Sequence, residues 1–114
     1  MTRRIDLLAA DSVGEGEMVM AWVDGGTSPV LVVRAGGVLH ATQGTCSHEY
    51  YELDRGFLTA GTLTCPLHLS RFELDAGEPL DPPAVLPLAV YPVTEEGGRV
   101  LIEVPDGPLE VNEE

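Results

Sequence analysis

The chain of 114 residues contains no lysine and six arginines against 19 acidic side chains, which gives a net charge of −13. A surface this acidic repels phosphate backbones and anionic lipid headgroups, so nucleic acid is not an expected partner. Apolar runs of the length that crosses a bilayer are also absent, and we expect no membrane span. The composition therefore predicts a small water-soluble protein.

Cysteine is scarce, and an export signal is not apparent. The twin arginine Arg3-Arg4 is followed by Asp6 and Asp11, which interrupt the apolar stretch that such a signal needs. We therefore predict a cytoplasmic location. In a reducing cytosol the two cysteines are better explained as metal ligands than as a disulfide.

Aromatic residues make up only 5% of the chain and long helical periods are missing, whereas there are 13 glycines and nine prolines. The length suits a single domain, 1–114. Short β-branched runs between turn residues predict an antiparallel β-sandwich or small barrel. Strands are predicted at 18–23, 30–34, 38–42, 62–65, 71–74, 88–93 and 99–104. Residues 5–10 suit either a strand or a helical turn, Trp22 and Phe57 are expected in the core, and the acidic tail 105–114 is expected to fray.

Four residues form the constellation that carries chemistry. Cys46 and His48 lie two positions apart, and Cys65 and His68 lie three positions apart. Each half-site thus offers one thiol and one imidazole. Two half-sites of the same make-up indicate one shared metal centre.

Three metal centres can be weighed against this pattern. Zinc accepts two cysteines and two histidines, but zinc fingers group the cysteines in one element and the histidines in another. Blue copper lacks its axial ligand, because no methionine follows Met20. A binuclear iron–sulfur cluster uses all four residues, with two thiolates on one iron and two imidazoles on the other. A zinc-stabilised interaction module stays open as the alternative.

These residues resemble the Rieske family, whose pattern is Cys-x-His, a spacer of about this length, and Cys-x-x-His. The resemblance continues through 65–74, 77–80 and 86–93, and it is strongest to small Rieske ferredoxins. It implies an all-β, antiparallel Rieske-type fold with a two-loop cluster-binding subdomain at about 43–72. It also implies one [2Fe-2S] cluster per chain, a monomer, and an electron carrier that is not itself an enzyme.

The same resemblance implies partners. Ferredoxins of this kind serve aromatic-ring-hydroxylating dioxygenases of aromatic hydrocarbon catabolism, and they pass single electrons from a flavin-dependent ferredoxin reductase to a terminal oxygenase. Two other members of the family stay open as alternatives. One is the small subunit of a nitrite reductase, and the other is the ferredoxin of a di-iron monooxygenase.

Three positions narrow the kind of Rieske protein that the chain resembles. Tyr51 and Leu67 occupy the positions where respiratory Rieske proteins carry two further cysteines, so that disulfide cannot form. Ser70 stands where high-potential relatives place a hydroxyl that donates a hydrogen bond to a bridging sulfide. The resemblance therefore predicts a potential somewhat above that of relatives with glycine at this position.

Apolar residues flank the predicted ligands on both loops. We expect them to form a rim that shields the cluster from water, serves as the docking patch for partners, or does both. The rim comprises Tyr50, Tyr51, Pro66, Leu67 and Leu69.

Overall fold

A computed structural model describes residues 1–23, 28–47, 51–66, 69–81, 84 and 86–113. Among the residues singled out above, His48, Tyr50, Leu67 and His68 lie outside the described part. No helix in that part is long and apolar enough to span a bilayer.

Within the described residues the regular structure is almost entirely antiparallel strand, interrupted by 3₁₀ turns at Ala10–Ser12 and Leu53–Arg55. The strands are β1 (Thr2–Ala9), β2 (Met18–Val23), β3 (Ser28–Ala35), β4 (Val38–Gln43), β5 (Phe57–Thr59), β6 (Thr62–Thr64), β7 (Arg71–Glu73), β8 (Val90–Tyr91), β9 (Val93–Glu96) and β10 (Arg99–Pro105). The predicted all-β class is confirmed.

The strands form three sheets, in the orders β1-β10-β9, β2-β3-β4-β8 and β5-β6-β7. The third sheet is the smallest; its strands β5 and β6 lie between the two halves of the predicted ligand set in the chain, and β7 follows the second half. The second predicted half-site falls between β6 and β7 in the chain. The first half-site follows β4 of the second sheet.

Strand β3 is the centre of the packing, because both of its faces are buried. Alternate side chains of a strand point to opposite faces. Val30 and Val32 pack into the clusters that include β10 residues, while Leu31 and Val33 pack into the cluster that includes the third sheet. This double burial explains why the run in β3 is apolar without alternation.

The observed strands differ from the predicted strands in two places. The strand expected at 88–93 is split into β8 and β9, because Pro92 between them has no N–H to donate to a ladder. The short strand β5 was not predicted, since three residues are too few to show a period. At the N-terminus both alternatives occur, β1 being followed directly by a 3₁₀ turn.

Trp22 and Phe57 do not lie in the core, contrary to expectation. Their exposed fractions are 47% and 57%. Each stands on an edge strand, where the neighbouring residues face inward: Ala21 is buried beside Trp22, and Leu58 packs on the core beside Phe57. Strand alternation therefore turns both aromatic rings outward.

The C-terminal residues make more contacts than a frayed tail would. Leu109 packs against the core cluster that contains Ile102 and Tyr91. Asn112 is hydrogen-bonded to Gln43, in the last position of β4. The tail is therefore attached to the body of the protein.

Gly56 lies where the 3₁₀ turn Leu53–Arg55 passes close to β6. A Cβ atom at this position would overlap the carbonyl oxygen of Thr64, the residue before Cys65. Backbone atoms cannot move aside as a flexible side chain can. Close approach of the two segments therefore requires glycine.

Replacing Gly56 by alanine tests this constraint. We expect Gly56→Ala to lower the free energy of unfolding by about 2 kcal/mol or more, because the added methyl group forces backbone to shift. Urea unfolding followed by circular dichroism measures the change. Gly61→Ala is the matched control, since a Cβ there meets no atom within 4 Å, and its expected effect is within about 0.5 kcal/mol. Equal effects would contradict the close approach.

Candidate metal centre

The first half-site begins a loop closed by backbone hydrogen bonding. Thr45 and Glu52 form an antiparallel bridge. Beyond that bridge, the N–H of Cys46 donates to the carbonyl oxygen of Tyr51 at 3.1 Å. Cys46 is therefore held at the base of the loop that this bond closes.

The second half-site repeats this arrangement. Thr64 and Arg71 pair at the end of the β6–β7 ladder. The N–H of Cys65 then donates to the carbonyl oxygen of Ser70 at 2.9 Å. Cys65 is therefore held at the base of the second loop in the same way.

The two loops therefore have the same length and the same closure, although the histidine is offset by two positions in one and by three in the other. In each loop the cysteine N–H bonds to the residue five positions later. Each cysteine is thus held by the same kind of backbone hydrogen bond, which supports both half-sites being built for one centre.

Burial brings the two cysteines into one environment. Cys46 is 4% exposed and Cys65 is 1% exposed, and both belong to the core cluster that contains Leu63 and Phe72. A bare thiolate is costly in apolar surroundings unless a cation accompanies it. The two buried cysteines therefore fit a bound metal centre. They are the two members of the predicted ligand set that lie within the described residues.

Two buried hydroxyl groups lie beside the half-sites. Ser47, 1% exposed, donates from Oγ to the carbonyl oxygen of Leu86 at 2.6 Å. Ser70, 0% exposed, accepts at Oγ from the N–H of Ala84 at 3.3 Å. Accepting that bond uses a lone pair of Ser70 and not its hydroxyl hydrogen. Ser70 was singled out from the sequence, whereas Ser47 was missed.

The partners of these hydroxyls belong to one segment, which we call the strap: Ala84 and residues 86–89. It bonds to both loops, and Leu88 donates to the carbonyl of Gly77 at 2.8 Å. Ala84 and Leu88 also lie in the core cluster that holds both cysteines. The density of prolines around the strap was the available signal, because proline-rich segments do not join sheet ladders.

The predicted apolar rim is only partly exposed. Leu69 is 62% exposed and has a φ of +61°, a left-handed conformation unusual for leucine. Pro66 is half-buried. Tyr51 is also half-buried, and it packs against the core rather than projecting from the loop. Tyr50 and Leu67 lie outside the described residues.

An ion pair flanks the second loop. The guanidinium of Arg71 bonds to both carboxylate oxygens of Asp81, at 2.5 and 3.0 Å. The hydrogen bond from Arg71 lowers the pKa of Asp81 below its usual value of 3.8. The same bond raises the pKa of Arg71. The pair ties β7 to the residues that lead into the strap.

The depressed pKa predicts a pH dependence. A carboxylate whose pKa falls on folding stabilises the protein above its unfolded pKa, and this is lost as the pH falls through the folded pKa. We therefore expect Asp81→Asn to destabilise the protein at pH 7, and its difference from the unmodified protein to shrink as the pH falls from about 4 through the lowered pKa of Asp81. Urea unfolding at each pH measures this, with exposed Asp106→Asn as control. A difference that does not depend on pH would contradict the ion pair.

Fold and site together define a small all-β protein with a buried cysteine at the base of each of two matched loops. Residues 3–92 match the family model described as "Rieske [2Fe-2S] domain". The chain therefore belongs to the Rieske [2Fe-2S] domain family, and the family implies a [2Fe-2S] cluster.

Its relatives in sequence are ferredoxin components. The chain is 38% identical over 105 residues to the 3-phenylpropionate/cinnamic acid dioxygenase ferredoxin subunit of Escherichia coli (strain K12), covering 90% of this chain and 95% of that one. It is 34% identical over 101 residues to the biphenyl 2,3-dioxygenase ferredoxin component of Rhodococcus jostii (strain RHA1), covering 89% and 92%. It is 37% identical over 107 residues to the ferredoxin component of the alkene monooxygenase system of Xanthobacter autotrophicus, covering 93% and 85%. These relatives are electron carriers rather than catalytic enzymes, which confirms the expected class.

Solved structures of Rieske ferredoxins have the same fold as this chain. The ferredoxin of Sphingomonas yanoikuyae B1 superposes with a TM-score of 0.83 at 28% identity, covering 90% of this chain and all of that one. A chain in the complex of oxygenase and ferredoxin in carbazole 1,9a-dioxygenase superposes with a TM-score of 0.81 at 29% identity, covering 94% and 97%. The predicted Rieske-type fold is thereby confirmed.

Proposed function

We propose that this chain is a single-domain electron-transfer ferredoxin that carries one [2Fe-2S] cluster. Cys46 and Cys65 hold one iron, and His48 and His68 hold the other, within a cluster-binding unit at about 43–72. The observation that carries the proposal is the pair of equivalent loops, each with a buried cysteine at its base.

When bound, the cluster accepts and releases one electron at a time. The chain's own residues set the conditions for this exchange. The apolar cluster around both cysteines keeps water away from the thiolates, and the backbone hydrogen bonds hold the two loops in place. Little rearrangement is then needed when the charge of the centre changes.

Ser70 has a more specific role in this proposal. The N–H of Ala84 fixes the position of its oxygen, while its hydroxyl hydrogen can be donated toward the cluster. A donated hydrogen bond stabilises the added negative charge of the reduced centre, so it raises the potential.

The proposed partners are a flavin-dependent ferredoxin reductase and the terminal oxygenase of an aromatic-ring-hydroxylating dioxygenase, with the ferredoxin as a cytoplasmic monomer. Relatives named for biphenyl and phenylpropionate dioxygenases support this assignment. A ferredoxin in complex with its oxygenase supports the direct contact. The net charge of −13 favours a basic docking face on at least one partner.

A second candidate is the ferredoxin of a monooxygenase system. The Xanthobacter autotrophicus relative serves an alkene monooxygenase, and its identity to this chain is within one percentage point of the phenylpropionate relative's. Reconstitution with each type of oxygenase separates the two. Faster reduction of the dioxygenase component would favour the first candidate.

Metal analysis and spectroscopy test the ligand set. We expect about two iron and two sulfide ions per chain, visible bands that bleach with dithionite, and a reduced paramagnetic signal of low average g value. Cys46→Ser, His48→Ala, Cys65→Ser and His68→Ala should each abolish these bands, because each removes one ligand.

His40→Ala is the control for the histidine variants, since this remaining histidine lies half-buried in β4 rather than on either loop. It should retain the full iron content. A colourless protein with stoichiometric zinc after anaerobic purification would replace the ferredoxin with a zinc-stabilised interaction module.

Leu69 tests the docking surface. A strained, exposed apolar residue beside a predicted ligand suggests a functional contact. Leu69→Gly should slow electron transfer to the oxygenase severalfold, because the apolar contact is lost. The same change should raise the free energy of unfolding by about 0.5–1 kcal/mol, because glycine relieves the left-handed strain.

Ala60→Gly is the matched control, since Ala60 is also exposed and has a φ of +53°. It should stabilise the protein without slowing electron transfer. Stopped-flow reduction of the oxygenase measures the rates. Unchanged transfer by Leu69→Gly would remove Leu69 from the docking surface.

A further inference from the structure

The buried side chain of Gln43 joins three separate segments. Its Nε2 donates to the carbonyl oxygens of Thr45 at 2.8 Å and Asn112 at 2.9 Å. Its Oε1 accepts from the N–H groups of Ala89 at 2.7 Å and Asn112 at 2.8 Å. All four hydrogen-bonding functions of the amide are therefore used. They connect the first cluster loop, the strap and the C-terminal tail.

Asn112 adds a direct bond from the tail to the strap. Its Nδ2 donates to the carbonyl oxygen of Pro87 at 2.8 Å. Four side chains thus bond to the strap. Ser47 and Ser70 do so from the two cluster loops, Gln43 from the end of β4, and Asn112 from the tail.

The tail has its own anchors. Tyr91 donates from its hydroxyl to the carbonyl oxygen of Glu110 at 2.6 Å. Burial, with the nearby Glu110 carboxylate, raises the pKa of Tyr91 to about 12, so the hydroxyl keeps its proton at physiological pH. Leu109 packs on the core cluster that contains Tyr91. Because residues 109 and 110 are attached to the body of the protein, Asn112 lies beside Gln43.

We propose that residues 109–112 are a latch that holds the strap against the two cluster loops, with Gln43 and Asn112 as its positioning residues. The inference rests on the proposed cluster in the proposed function. Loss of the latch leaves Ser47 and Ser70 bonded to a less restrained strap. The hydroxyl groups beside the ligands then lose their fixed orientation, and water gains access to the centre.

Deletion of residues 111–114 tests the latch, because it removes Asn112 but keeps Leu109 and Glu110. Deletion of 113–114 is the matched control, since it shortens the tail and leaves Asn112 in place. In the longer deletion we expect amide hydrogen exchange in peptides covering 86–91 to rise, and iron loss to a chelator to become about fivefold faster or more. The midpoint potential should also shift, with no change in the control.

The point variant Asn112→Ala separates the side-chain bond from the backbone bonds. It removes only the bond to Pro87. Hydrogen exchange in 86–91, iron loss and the midpoint potential should therefore change in the same direction as in the longer deletion, but by less. Val111→Ala, at an exposed neighbour, should have no effect.

Three results would overturn the latch. They are unchanged exchange in 86–91, an unchanged midpoint potential in the longer deletion, and an exchange increase spread evenly over all strands, which would indicate general destabilisation. Failure of the proposed function is distinguishable, because it would appear as absent iron and sulfide in the full-length chain. The exchange measurement does not depend on the metal.

Discussion

Two backbone hydrogen bonds, from Cys46 to Tyr51 and from Cys65 to Ser70, determine where the thiols lie. They close loops of equal length on different sheets, one after β4 and one between β6 and β7. A loop of this length has many conformations, and closing it at its base removes many of them. The rest of the molecule provides a frame in which both closures hold together.

The frame depends on strand β3, which lies between two packed layers. β3 is buried on both faces, so it joins the packing of the β1-β10-β9 sheet to the packing of the small third sheet. Movement of the third sheet relative to β4 would separate the two half-sites. Close packing on both sides of one strand resists such movement, because interiors at this density transmit strain rather than absorb it. The rigidity of the site therefore originates away from the site.

The sequence predicted those features that depend on local periodicity. Strand β2 was predicted with its observed bounds, and the family was identified from the ligand pattern and the sequence that follows it. What escaped prediction depends on distant partners. The bonds of Gln43 reach positions 89 and 112, and no periodicity signals a buried amide with such partners. Trp22 and Phe57 were misplaced because aromatic residues generally favour burial, whereas strand alternation turns these two outward from edge strands.

The distribution of charge and apolar exposure suits a carrier that must bind and then leave. Charge acts over distances up to about 10 Å at ordinary ionic strength and speeds encounter, but it stabilises a complex weakly. Apolar contact at the tip acts only at close range, and it sets orientation. Leu69 is exposed in a strained conformation beside a proposed ligand, while Tyr51 faces the core. A small apolar contact within an acidic surface allows fast arrival and fast release, which the proposed shuttling between two partners requires.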